Sequence, residues 1–135
     1  MKIVVEKLVH APLATVWAAY TTPADIIAWN AASEDWHTTA STVDLRVGGD
    51  FSSRMEAKDG SFGFDFAGTY TEVEPECRLA YALGDRAVEI DFLAEDGGVL
   101  VRVTFDVETQ NPAEMQRAGW QSILDNFAKH TEAKA

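Results

Sequence analysis

The chain has 135 residues, of which 47% are hydrophobic and 24% charged, and its formal net charge is −11 at pH 7. This length predicts one domain with its own core over residues 1–135. The excess of acidic groups repels phosphate backbones and anionic lipid, so it argues against a nucleic-acid-binding or membrane-surface protein. The single cysteine, Cys77, excludes an internal disulfide. A cytoplasmic location is expected, because neither a signal-peptide pattern nor a membrane-length apolar run is present.

The first third of the chain predicts one strand and two short helices. Residues 2–9 are rich in β-branched side chains, which is typical of a strand. Pro12 suits the start of a first helix. Thr22 and Pro23 supply a cap and a first-position proline for a second one.

Between residues 36 and 107 the hydrophobic pattern has a period of two, and glycine-containing turns interrupt it. Such alternation predicts an antiparallel meander of about six strands with one apolar and one solvated face. The predicted strands cover residues 36–45, 50–57, 62–73, 78–83, 88–92 and 99–107.

A long helix is predicted from Asn111 to Glu132, with Asn111 as its cap. Its apolar residues form an arc about half a turn wide, which a sheet curling round the helix would cover. Gly119 lies inside this arc. A glycine within a helix costs about 1 kcal/mol relative to alanine, so it predicts that the sheet or a ligand approaches the helix backbone closely. The apolar arc comprises Met115, Gly119, Trp120, Ile123, Leu124 and Phe127.

Residues that carry a family resemblance are spread from end to end of the chain. They are Ala11-Pro12, Val16-Trp17, Pro23, Trp29, the run 43–49 that leads to Phe51, Gly68-Thr69-Tyr70, Glu72, Val73, Pro75, Arg78-Leu79, Gly119-Trp120 and Leu124. On these residues the chain resembles the helix-grip fold of the START/Bet v 1-like superfamily. It is most similar there to the family named after the C-terminal domain of the activator of Hsp90 ATPase.

The resemblance implies an α+β fold in which a curved antiparallel sheet of about seven strands wraps round a long C-terminal helix. Two short helices would follow the first strand, and a hydrophobic cavity would lie between sheet and helix. The superfamily includes lipid and hormone carriers as well as aromatase/cyclases, so the resemblance does not imply one activity.

A ligand-binding cavity is predicted from the many large side chains on the inner faces. Tyrosine and tryptophan also carry a polar group that needs a partner when buried, so Tyr70, Tyr81 and Trp120 are candidates for orienting a ligand. The predicted cavity residues are Trp29, Trp36, His37, Phe51, Met55, Phe66, Tyr70, Gln116, Trp120 and Leu124.

Catalytic and metal-binding patterns are not apparent in the sequence. His10, His37 and His130 are scattered, and no spacing typical of metal ligands is present, so we predict no catalytic residue, metal or cofactor. His130 is expected in a frayed last turn of the helix.

Three functions remain open at this point. The first is binding of a small hydrophobic or aromatic molecule. The second is a protein-interaction module that contacts an Hsp90-type chaperone, a disfavoured reading that rests on the family name. The third is a cyclase- or hydrolase-like enzyme, which needs an acid or base in the cavity. For that role His37 and Tyr70 are available, whereas alternation turns Glu56 and Asp65 outward.

Overall fold

The computed structural model describes residues 1–134 and confirms the expected α+β helix-grip fold. The element bounds differ from the predicted ones by at most three residues. No helix in the described range is both long and apolar enough to cross a membrane. The elements are β1 (Lys2–Val9), α1 (Leu13–Thr21), α2 (Pro23–Trp29), β2 (Trp36–Val43), β3 (Asp50–Ala57), β4 (Gly63–Glu74), β5 (Arg78–Leu83), β6 (Arg86–Glu95), β7 (Gly98–Asp106) and α3 (Ala113–Lys134).

The strands form one antiparallel sheet in the order β1-β7-β6-β5-β4-β3-β2. β1 and β2 are therefore the two edges of the sheet, although only α1 and α2 separate them in sequence. Register shifts lie between Thr38 and Ala40 in β2 and between Tyr70 and Glu72 in β4. Such bulges bend a strand and increase its twist, which helps the sheet curl into a half-barrel round α3.

The inner face of the sheet forms the core. In β7 the buried Val101, Val103 and Phe105 alternate with the half-exposed Arg102 and Thr104. This is the period of two that the sequence shows, with one face packed against the helix and the other facing solvent.

Helix α3 also covers an edge of the sheet. The side chains of Arg117 and Gln121 each donate a hydrogen bond of 3.2 Å, to the carbonyls of Val4 and Glu6 respectively. These carbonyls belong to β1, whose outer side has no neighbouring strand. The helix therefore forms hydrogen bonds with backbone carbonyls that could otherwise pair with a strand of another molecule.

The start of α3 differs from its prediction. The helix begins at Ala113, and the Pro112 carbonyl accepts the backbone N–H of Gln116 at 3.2 Å. The Asn111 side chain does not cap the helix, because its Nδ2 donates to the Glu108 carboxylate at 2.9 Å instead. The predicted bounds are thus displaced by two residues at each end.

The predicted apolar arc of α3 is wider than the surface that the sheet covers. Met115 is 60% exposed, and apart from the adjoining backbone of α3 itself no atom lies within 4 Å of the position that a Cβ on Gly119 would take. The predicted close approach of the sheet to Gly119 is therefore wrong. Periodicity identifies which residues share a face, but only packing decides how much of that face is covered.

The last turns of α3 are held more firmly than expected. His130 Nε2 lies 2.9 Å from Asp25 Oδ1, and Lys134 Nζ lies 2.6 Å from the same oxygen. Thr131 is fully buried and donates to the Phe127 carbonyl at 2.7 Å. The prediction of a frayed turn at His130 is wrong, because a carboxylate of α2 faces it.

Candidate ligand-binding cavity

A cavity of about 240 Å³ lies between the inner face of the sheet, α3 and the two short helices. Its wall is mostly aromatic and aliphatic, and the cavity is partly open to solvent. Seven of the ten predicted site residues line it, whereas ligand contact itself stays a prediction. These seven are Trp29, Phe51, Met55, Phe66, Tyr70, Trp120 and Leu124.

Several of these side chains are held in place by specific contacts. Trp29, at the end of α2, donates from Nε1 to the Ala19 carbonyl of α1 at 2.8 Å. Trp120 of α3 stacks on Phe105, with ring centroids 4.5 Å apart and an interplanar angle of 15°. Phe51 packs edge-on against Tyr81 at 4.7 Å. The wall is therefore largely preformed, as in most small-molecule sites.

Trp36 and His37 lie outside this cavity, beside an open groove between β2, α2 and α3. Trp36 begins the edge strand and packs against Phe64, with centroids 5.9 Å apart, just beyond the cavity. The next inward residue, Thr38, is buried and donates to the Asn30 carbonyl at 2.6 Å. His37 points to the other face because of strand alternation, and it sits opposite Glu56 in the β2–β3 register.

Gln116 also lies outside the cavity, since its amide group is fully engaged elsewhere. Its Oε1 accepts from the backbone N–H of Glu108 at 3.0 Å. Its Nε2 donates to the carbonyls of Glu108 and Asn111 at 3.0 and 2.8 Å. Gln116 therefore fastens the loop before α3 to the first turn of the helix.

Other lining residues were not among the ten predicted. Phe64 could have been found, since the period of two in β4 puts it on the same face as Phe66. Leu79 alternates in β5 in the same way with Tyr81, which the sequence had indicated as a candidate for orienting a ligand. Tyr20 and Ile26 come from α1 and α2. Their inward position depends on how these helices dock, for which no local pattern is available.

The opening of the cavity is marked by Phe64, which lines the cavity and is nevertheless 42% exposed. Phe62 lies next to it, with ring centroids 6.3 Å apart, and is 62% exposed. Together with Trp36 they form an aromatic rim, defined here as Trp36, Phe62 and Phe64. The rim therefore places exposed apolar surface next to the cavity.

The glycine turn between β2 and β3 supports one cavity residue directly. Gly48 donates its N–H to the Tyr70 carbonyl at 2.8 Å, and Tyr70 donates its N–H to the Gly49 carbonyl at 2.9 Å. The backbone of Tyr70 is therefore fixed from a loop that is distant in sequence. This gives the turn pattern of residues 43–49 a structural role beside the site.

The cavity wall carries no charged side chain among the described residues. Burial raises the pKa of the Tyr70 hydroxyl to about 12. Burial also raises the pKa of Tyr20 and of Tyr81, with a smaller contribution from the other tyrosines nearby. All three hydroxyls are consequently neutral at physiological pH, and the site is an uncharged, mainly apolar container with a few hydroxyl groups.

A curled antiparallel sheet that closes on a long helix, with an apolar cavity between them, defines a helix-grip protein. The sequence profile of the family described as activator of Hsp90 ATPase homolog 1-like protein matches residues 10–132. The chain belongs to this family, which confirms the resemblance seen in the sequence.

Known structures agree with this assignment. The AHSA1-like protein of Aeromonas hydrophila is 51% identical, with a TM-score of 0.93 over 99% of this chain and 94% of that one. A protein of Cytophaga hutchinsonii is 42% identical, with a TM-score of 0.84 over 98% and 93% of the two chains. A Chromobacterium violaceum protein shares the fold at 24% identity, with a TM-score of 0.87 over 97% and 96%. No curated protein matches the chain.

Proposed function

We propose that the protein binds a small apolar or aromatic molecule in the cavity between the sheet and α3. The observation that carries this proposal is the preformed aromatic wall round a cavity of about 240 Å³. Binding would be driven by burial of apolar ligand surface, worth roughly 25 cal/mol per Å². Because the wall side chains are already held by their neighbours, little conformational freedom would be lost on binding.

The volume limits the size of the ligand. Liquid water occupies about 30 Å³ per molecule, so the cavity corresponds to about eight waters. A molecule with about two fused rings has a similar volume. The aromatic rim at the opening would offer such a molecule an apolar path from solvent.

The two alternative functions have less support. His37 lies outside the cavity, and Glu56 and Asp65 pair with Arg54 at 3.1 and 3.5 Å on the outer face. An acid–base reaction in the cavity would therefore have to use a tyrosine, whose raised pKa makes it a poor proton donor or acceptor at neutral pH. A role with an Hsp90-type chaperone stays a prediction that rests on the family description.

Two neighbouring serines of β3 give a matched test of the proposal. Ser53 is 4% exposed and lines the cavity, whereas Ser52 points to the opposite face. Ser53→Phe should fill part of the cavity, while Ser52→Phe adds the same side chain outside it. Thermal unfolding would be followed with a panel of one- and two-ring aromatic compounds, and native mass spectrometry of freshly purified protein would detect a co-purified molecule.

We expect the unmodified protein and Ser52→Phe to be stabilised by at least one compound, by about 2.7 kcal/mol at a concentration one hundred times its Kd. Ser53→Phe should remain folded and lose this stabilisation. Binding in the cavity is refuted if no compound stabilises the unmodified protein and no molecule co-purifies with it. It is equally refuted if Ser53→Phe binds as well as Ser52→Phe.

A further inference from the structure

All three tyrosines of the chain line the cavity between the sheet and α3. They come from three different elements: Tyr20 from α1, Tyr70 from β4 and Tyr81 from β5. Tyr70 and Tyr81 are direct cross-strand partners, with ring centroids 6.5 Å apart. Tyr20 reaches the cavity from the helical side, where its ring lies 5.0 Å from that of Phe127.

The hydroxyls of these tyrosines have no hydrogen-bond partner within residues 1–134. In the same range, no fully enclosed side-chain oxygen or nitrogen is left without a partner. The three hydroxyls must therefore border space in which another polar atom fits. A buried hydroxyl is stabilised when such an atom supplies its missing hydrogen bond.

Two other polar side chains of the wall, Ser53 and Asn30, already have a polar contact. Ser53 Oγ lies 3.5 Å from Ser41 Oγ, and Asn30 Nδ2 contacts the Met55 sulfur at 3.6 Å. No Lys, Arg, His, Asp or Glu of the described residues lines the cavity. A carboxylate or an ammonium group buried there would lack a counter-charge, which is strongly unfavourable.

We propose that Tyr20, Tyr70 and Tyr81 together recognise an uncharged oxygen group on the ligand, such as a ketone, an ester or a hydroxyl. The ligand class is then a neutral, largely apolar ring compound that carries this oxygen towards the three hydroxyls. The inference rests on the proposed function, since it assigns polar recognition to the same cavity. A carbonyl oxygen has two lone pairs and accepts from two hydroxyls, while a ligand hydroxyl can also donate to a third.

The protonation of the tyrosines agrees with this role. Burial holds the pKa of all three hydroxyls above the ordinary tyrosine value, so each stays a hydrogen-bond donor at neutral pH. An anion is disfavoured in this cavity for a different reason, because the described wall offers it no positive charge in place of water.

Four two-ring probes test the inference by isothermal titration calorimetry at pH 7, and the two neutral ones have nearly equal shape. 2-Acetylnaphthalene carries the neutral ketone, and 2-isopropenylnaphthalene replaces its oxygen by a CH₂ group. 2-Naphthoate and 2-naphthyltrimethylammonium carry a negative and a positive charge. We expect the ketone to bind roughly three- to tenfold more tightly than the hydrocarbon, which corresponds to about one neutral hydrogen bond. Both ions should bind more weakly than the ketone.

Phenylalanine variants locate the polar contact. Tyr20→Phe, Tyr70→Phe and Tyr81→Phe combined should abolish the preference for the ketone, so that the ketone and the hydrocarbon bind equally. Removing unpaired hydroxyls keeps the rings in place, so circular dichroism should show an unchanged fold and a melting temperature that is not lowered. Phe66→Leu serves as the control, since it removes aromatic wall without a hydroxyl and should weaken both probes alike.

The outcomes separate this inference from the function on which it rests. Equal binding of ketone and hydrocarbon by the unmodified protein overturns the tyrosine recognition but leaves cavity binding intact. Tightest binding of the naphthoate or the ammonium probe overturns the neutral ligand class. If none of the four probes binds, the inference and the proposed function fail together for two-ring ligands.

Discussion

At the scale of single residues, the shape of the cavity wall depends on how closely neighbouring side chains pack against the backbone. Gly68 of β4 is the clearest case, because a Cβ there would lie 2.6 Å from the Ala82 carbonyl oxygen and 2.9 Å from the ring of Phe51. Phe51 lines the cavity and contacts both Tyr70 and Tyr81. The glycine thus leaves room for the aromatic ring that shapes the wall.

Gly68→Ala is therefore expected to lower the free energy of unfolding by about 1–3 kcal/mol through overpacking. Gly119→Ala is the matched contrast, since its Cβ would meet no atom within 4 Å other than the adjoining backbone of α3. It should stabilise the protein by up to about 1 kcal/mol through helix propensity. Urea unfolding of both variants checks this, and equal effects of the two substitutions would contradict the packing difference.

At the scale of elements, an ionic contact joins the short helix α2 to the end of α3. Asp25 is buried and accepts from both His130 and Lys134. Two neighbours of Asp25 in α2, Ile26 and Trp29, line the cavity. The contact therefore holds one wall of the cavity against the long helix.

The pH dependence of stability should reveal this contact. Burial alone would raise the pKa of Asp25, but the hydrogen bonds from Lys134 and His130 outweigh it and lower the pKa below the ordinary 3.8. A carboxyl group with a depressed folded-state pKa stabilises the protein above 3.8, and this contribution is lost as the pH falls through the folded value. Asp25→Asn should cost about 1–2 kcal/mol at pH 7.

Urea unfolding of the original chain and of Asp25→Asn between pH 2 and pH 7 measures this contribution. The difference between the two proteins isolates Asp25 from the other carboxyl groups that titrate in the same range. We expect the difference to shrink below pH 3.8. A difference that stays constant down to pH 2 would show that the Asp25 charge is not what stabilises the native state.

A second element-scale prediction concerns the outer face of the sheet. There Arg78 of β5 pairs with Glu72 at 3.0 Å, with Glu89 at 2.9 Å and with Asp91 at 2.5 Å. These carboxylates come from the two flanking strands, so a single guanidinium neutralises charges on β4 and β6. These contacts raise the pKa of Arg78 above the ordinary arginine value, and the hydrogen bond to Asp91 makes the largest contribution to this shift.

Arg78→Met should leave three carboxylates facing one another and lower stability by about 1–3 kcal/mol at low salt. Because repulsion between partly exposed charges is screened, the loss should become smaller in 1 M NaCl. Arg78→Lys is the control that restores charge without the forked geometry, and it should be intermediate. Chemical unfolding at both salt concentrations measures this, and a loss independent of salt would contradict the electrostatic account.

At the scale of the whole molecule, the cavity exists because the two edges of the sheet are closed in different ways. α3 lies along β1 and hydrogen-bonds to its free carbonyls, whereas β2 curls towards α2, where Thr38 donates to the Asn30 carbonyl. The aromatic rim stands on the β2 side. The helix therefore covers one edge of the sheet, and the exposed residues of the rim lie beside the other edge.

Much of this architecture could be predicted from local pattern. Strand alternation depends only on the pleat of the backbone, so the inward positions of Phe51, Phe66 and Tyr70 followed from a period of two. The positions of α1 and α2 followed from their prolines, and the long helix from its apolar arc. Thr22 does stand at the N-cap position of α2, but its side chain makes no capping hydrogen bond. Each of these patterns is formed by residues close together in the sequence, so it can be recognised without knowing which distant residues are in contact.

The remaining features were decided by tertiary structure. Trp36 and Met115 are both large apolar residues on the face that the periodicity predicts to be buried. In the structure Trp36 lies outside the cavity, and Met115 is exposed to solvent. Tyr20 joins Tyr70 and Tyr81 only because α1 docks across the sheet. The sequence by itself determined which face each side chain takes, since that is a local property of strand and helix. How far the sheet curls, and so which faces meet round the cavity, depends on contacts between residues far apart in the chain.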